Sequence, residues 1–166
     1  MVRKALDDSG LPDDRLELEV TESLLIETRD DVLYILTSLK TLGVHITMDD
    51  FGTGYSSLSY LQSFPFDKIR IDRVFVSTLE SSAQNAAIVK AVASMGKSLN
   101  MRVVAEGVES AYQARLLRGL ECDELQGFLS ARPMPAGQVE AFLRSAENLA
   151  AIPLHIGGEL CALTAR

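Results

Sequence analysis

The stretch Gly43-Val44-His45-Ile46-Thr47-Met48-Asp49-Asp50-Phe51-Gly52-Thr53-Gly54 decides the fold. Val44, Ile46 and Met48 alternate with His45, Thr47 and Asp49. That period of two predicts a strand over residues 44–49 with one apolar and one polar face. The strand ends on two adjacent carboxylates and enters a glycine-containing loop. Before it, Val32, Ile35, Leu36 and Leu39 recur at helical spacing, predicting a helix over 30–42 that Gly43 stops. After it, a short helix is expected over 56–62, ending ahead of Pro65.

The unit recurs along the chain. Strands are expected at 16–20, 68–72, 101–106 and 122–126. Between and after them, helices are expected at 83–99, 111–120 and 136–149. Ile88, Val89, Val92, Met95 and Leu99 form one stripe of the first helix, and Pro135 opens the last. Residues 2–6 read as the end of a helix, and Gly10-Leu11-Pro12 turns the chain into the first strand. Alternation of strand and helix implies crossovers and a parallel sheet.

Parallel strands covered on both faces read as near-continuous apolar runs. These do not. Leu16, Leu18 and Val20 alternate with Glu17 and Glu19, and Ile69 and Ile71 with Lys68, Arg70 and Asp72. Val103 and Ala105 alternate with Arg102, Val104 and Glu106, and Glu124 shares a parity with Gln126. One face takes the helices while the other carries charge. This fits the inside of a (β/α) barrel better than an open two-sided sheet. Glu19, Asp49, Asp72, Glu106 and Gln126 each close a strand, where such barrels carry their chemistry. Five strands do not close a barrel that needs eight.

Composition narrows the class. The chain has 166 residues, of which 47% are apolar, enough for one domain with a core. No apolar run reaches the roughly 20 residues of a membrane helix, and no secretory signal is visible, so the expected compartment is the cytoplasm. A formal charge of −7 argues against binding DNA or RNA through backbone phosphates. Cys122 and Cys161 show no metal or disulfide spacing and read as two reduced thiols. His45 and His155 likewise lack ligand spacing and read as structural.

Asp49 and Asp50 carry the densest chemical signal. Adjacent carboxylates repel unless a cation sits between them, and carboxylate oxygens suit Mg²⁺ or Mn²⁺. Alone, the pair reads equally as a solvated loop. Further acids at other strand ends weigh against that.

Five motifs make the reading specific. Glu19-Val20-Thr21-Glu22-Ser23, Asp49-Asp50-Phe51-Gly52-Thr53-Gly54, Ile71-Asp72-Arg73, Ala105-Glu106-Gly107-Val108-Glu109 and Gln126-Gly127-Phe128 stand in this order. In order and spacing they resemble the EAL family of cyclic di-GMP phosphodiesterases, over roughly residues 1–147. The resemblance implies a (β/α)₈ TIM-type barrel, here its last five units over 1–149, with 150–166 an unassigned tail. It implies hydrolysis of cyclic di-GMP to linear pGpG with two Mg²⁺ or Mn²⁺ ions that activate water for in-line attack. By resemblance Glu19 and Asp49 bind metal directly, Asp49 bridges, Asp50 serves the second ion, and Glu106 binds directly or through water. Gln126 orients the attacking water or its neighbours. Glu22 steadies the Asp-Asp loop, and Asp72 and Glu109 support the site from behind. A homodimer also fits the resemblance.

Two departures bear on activity. The Glu-Ala-Leu and Asn motifs, which supply two further metal ligands, are expected ahead of Met1, and nothing in residues 1–18 replaces them. The chain by itself is therefore expected to be inactive or nearly so, and unstable unless another polypeptide covers its open sheet edges. Second, Arg70 stands where the family has a lysine that contacts the attacking water. Arginine stays charged and holds anions but is no general base. Lys68, on the same face, should lie one layer deeper, at about 3.3 Å per residue. A non-catalytic module that binds cyclic di-GMP or a protein is the alternative.

Overall fold

Five strands pair in chain order, every neighbour parallel. They are β1 (Glu17–Thr21), β2 (His45–Phe51), β3 (Lys68–Ile71), β4 (Arg102–Glu106) and β5 (Glu124–Gln126). A doubly wound sheet reverses its strand order at a switch point, whereas a barrel steps one way throughout. This sheet steps one way. The computed structural model describes residues 1–27, 29–52 and 58–149.

Helices fill the crossovers. They are α1 (Val2–Ser9), α2 (Glu22–Glu27), α3 (Arg29–Thr41), α4 (Leu58–Ser63), α5 (Arg73–Ser77), α6 (Ala83–Ser98) and α7 (Ala111–Gly119). The chain divides into two units, Met1–Ser130 and Ala131–Arg166, and the second holds α8 (Ala136–Leu149). The expected strands and long helices appear within two residues of their observed ends. Positions 56 and 57 of the expected short helix lie outside the described residues. The sequence did not predict α2 and α5, because five or six residues carry too little periodicity. Asp72, expected to end a strand, instead caps α5, its carboxylate accepting from the Val74 amide at 2.7 Å.

The core lies on the helix side of the sheet. Ile46, Met48, Ile69, Ile71, Val103 and Ala105 form one buried cluster with Leu36 of α3, Val89 and Val92 of α6 and Leu117 of α7. These strand residues share the apolar parity read from the sequence, so burial fixes the register. Caps fix the helix starts. Ser82 accepts from the Asn85 amide at 3.2 Å, and Ser110 and Gln113 form a reciprocal capping box.

Two aspartates tie the strand starts together. The residue before β3, Asp67, accepts from the Ile46 amide at 2.7 Å, and its own amide donates to the Ile46 carbonyl at 2.8 Å. The residue before β5, Asp123, does the same to Val103, at 2.7 and 2.9 Å. Lys40 closes the first clasp, its ammonium 2.6 and 2.8 Å from the two Asp67 oxygens. His45 sits beside it, Nδ1 3.6 Å from Asp67, at the strand end opposite the acids.

Candidate active site

In a one-way parallel sheet all strand C-termini meet at one edge, so side chains from distant sequence positions gather there. Asp49 and Asp50 arrive through an irregularity. The β2–β3 ladder changes register between Met48 and Phe51, and Asp50 has φ 56°. The strand thus runs on through both acids to Phe51, past the end expected from the sequence. A bulge interrupts the alternation of faces, so two successive carboxylates join one cluster, and aspartate tolerates the left-handed backbone this needs. Burial, and after it the charges of Asp49 and Asp72, push the Asp50 pKa up.

Arg70 occupies the middle. Its side chain is only 11% exposed. Nη2 donates to Glu19 Oε1, and Nη1 lies 3.5 Å from Asp49 Oδ1. Burial alone would lower the guanidinium pKa. The bond to Glu19 and the charges of Asp49, Glu19 and Glu106 outweigh it and hold the pKa above the ordinary value. Asp49 Oδ1 and Arg70 Nε are both buried without a hydrogen bond. Glu106 ends β4 beside Gln126, its register partner on β5. Burial raises the Glu106 pKa. Arg70 opposes this, while Asp49, Asp72 and Asp50 push it further up.

A second charged layer lies beneath. Lys68 is buried, with its ammonium 2.7 Å from Glu17 and 3.1 Å from Glu124. Thr47 also donates to Glu17, at 2.6 Å, and Arg102 pairs with Glu124 at 2.7 Å. Burial pushes the Glu17 pKa up, but the bonds from Lys68 and Thr47 more than offset it and leave the pKa lowered. Lys68 is thus committed one layer down. Sequence reading placed Lys68 there but missed its clamps Glu17 and Glu124, though both share its inward parity.

The remaining candidates sit around this cluster. Glu22 opens α2 with its side chain buried. Glu109 is exposed, and its backbone amide donates to Gln113 Oε1 at 2.8 Å. Gly127 follows Gln126, and a Cβ there would lie 2.2 Å from the Val108 carbonyl oxygen. Only glycine permits that approach, which the Val108 amide seals by donating to the Gln126 carbonyl at 3.0 Å. Residues 53–57 of the glycine loop, Cys161 and His155 lie outside the described residues. Cys122 is a buried free thiol, pushed up to about 12 by burial and then by Asp123.

Chemically, the edge is a concentration of hard oxygen donors with two carboxyl pKa values, those of Asp50 and Glu106, raised by burial and then by neighbouring acids. Such a set fits a divalent cation in kind, and the buried, unbonded Asp49 Oδ1 is a ready ligand atom. Among the described residues, no three His, Cys, Asp or Glu side chains converge closely enough to hold a metal ion.

The EAL domain family matches residues 1–133. The chain belongs to the EAL domain family. Cyclic di-GMP phosphodiesterase NbdA of Pseudomonas aeruginosa is 44% identical over 153 residues, which cover 92% of this chain and 20% of that protein. Among solved structures, the PaMucR phosphodiesterase in complex with c-di-GMP superimposes with a TM-score of 0.79 at 48% identity. That match covers 83% of this chain and 56% of that one. A manganese/cy-diGMP complex of Klebsiella pneumoniae BlrP1 gives 0.75 at 37% identity, covering 80% of this chain and 34% of that one. This EAL chain spans about a fifth of the length of the curated relative. The five-stranded sheet is part of the barrel expected from the sequence.

Proposed function

We propose that this EAL chain carries the C-terminal part of a cytoplasmic cyclic di-GMP phosphodiesterase site, hydrolysing the cyclic dinucleotide to linear pGpG. The observation that carries it is the gathering of Glu19, Asp49, Asp50 and Glu106 at one sheet edge, around the guanidinium of Arg70. Glu19, Asp49, Asp50 and Glu106 would hold Mg²⁺ or Mn²⁺, with Glu and Asn residues of the family's front strands completing the set. When bound, the ions lower the pKa of water and neutralise charge on the phosphodiester. Gln126 and Glu106, paired across β4 and β5, orient the water on the oxygen that attacks phosphorus. Asp72 fixes α5 and with it Arg73, whose backbone lies under Gly107 of the Glu106 loop. Glu22 and Glu109 support the acid-bearing loops from behind.

Arg70 supports a second reading. A guanidinium already neutralising Glu19 and Asp49 suits a module that binds cyclic di-GMP or a protein without turnover, as a monomer or homodimer. Hydrolysis assays with Mg²⁺ or Mn²⁺ separate the two. They compare this chain with a version bearing the Glu-Ala-Leu and Asn strands. Turnover by the longer version, lost on Asp49→Asn, supports the enzyme. Nucleotide binding without turnover in that version supports the module.

A further inference from the structure

We propose that Arg70 is an internal counter-ion that competes with divalent metal for the oxygens of Glu19 and Asp49. The inference rests on the metal-dependent reading above and concerns what holds those oxygens before metal arrives. Among the described residues, the ion pairs of Glu19 and Asp49 are both with Arg70. The two acids stand on neighbouring strands, β1 and β2, and Arg70 on the next, so the guanidinium spans two strand intervals, roughly 10 Å of sheet. The ammonium of Lys68 makes the same reach to Glu17 one layer down, but the fork of a guanidinium lets Arg70 face two acids on two strands at once.

The charges around it explain why a counter-ion is needed. Glu19, Asp49, Asp50, Asp72 and Glu106 crowd one edge, and the other inward cation of β3, Lys68, is held below by Glu17 and Glu124. Without metal, the upper acids repel one another, and Asp49, Asp50 and Asp72 each push the Glu106 carboxyl pKa up. Arg70 relieves this, but its pairing with Asp49 is loose. At 3.5 Å it makes no hydrogen bond and leaves Asp49 Oδ1 unsatisfied. A cation that satisfied that oxygen would have the advantage, and the guanidinium would then be released toward the mouth. Arg70 thereby sets the metal concentration at which the site fills.

The test is Mn²⁺ binding to the 166-residue chain, read from the electron paramagnetic resonance signal of free aqueous Mn²⁺, together with the metal-free melting temperature. Removing the rival cation in Arg70→Gln should lower the metal-free melting temperature and tighten Mn²⁺ binding about tenfold. Arg70→Lys, which keeps the charge but not the fork that faces both acids, should fall between and serves if Arg70→Gln does not fold. Mn²⁺ binding that is unchanged or weaker in both variants overturns the proposal. Asp49→Asn distinguishes the two layers of inference. If wild type takes up Mn²⁺ and Asp49→Asn does not, the metal reading stands whatever Arg70 does. If no variant shows Asp49-dependent uptake, the counter-ion proposal fails, and the metal reading is decided by the hydrolysis assay on the version bearing the Glu-Ala-Leu and Asn strands.

Discussion

The Lys68 ammonium stands 2.7 Å from Glu17 Oε2, joining β3 to β1 across the face of β2. It also reaches Glu124 on β5, so one cation ties three strands beneath the acids.

Lys68→Met should expose the cost of that layer. It leaves Glu17 and Glu124 without their shared cation while keeping the stem's packing. Breaking a buried pair costs about 3–5 kcal/mol, and the partial exposure of both acids should reduce this to about 2 kcal/mol. Urea unfolding measures it. A change below about 0.5 kcal/mol would show that water already screens the layer.

The Asp67 clasp makes a pH-dependent contribution. Burial pushes its carboxyl up, but the bonds from Lys40 and the Ile46 amide more than offset this and leave its pKa below the ordinary 3.8. A depressed folded-state pKa contributes stability that is full above the unfolded value and lost as pH falls through the folded one. Asp67→Asn should therefore destabilise by about 1–3 kcal/mol at pH 7. The gap from wild type should narrow below about pH 4. Melting curves from pH 3 to 7 check the sign. A gap that widens in acid would contradict it.

Gly127→Ala should be among the most damaging changes of a single methyl group. Its Cβ would meet the Val108 carbonyl oxygen at 2.2 Å, where backbone must move on both sides. A loss of about 3 kcal/mol is expected, and with it the seating of Gln126. The melting temperature of the variant gives the answer. Unchanged stability would mean that the turn opens freely.

Cys122 should not react in the folded protein. Its thiol is buried and pushed up to about 12, so almost no thiolate forms at pH 8. In a Cys161→Ser background, Ellman's reagent should label Cys122 only after unfolding by denaturant. Fast labelling of the native protein would mean that β4 and β5 open readily.

The sequence by itself determined the architecture and the family. Alternation in 44–49 and its sister segments assigns each strand one apolar face, because side chains on a strand alternate sides. The order of five motifs identified the EAL domain before any contact was known. Three things were settled by tertiary structure alone. The bulge at Asp50 was illegible, because a register shift exists only between two strands. The clasp of Asp67 to Ile46 spans 21 residues and the pairing of Lys68 with Glu124 spans 56, and no local pattern encodes a partner so far away. The placement of Arg70 was equally hidden. Its face could be read, but that it reaches across β2 to Glu19 rather than outward depends on where the sheet sets the acids.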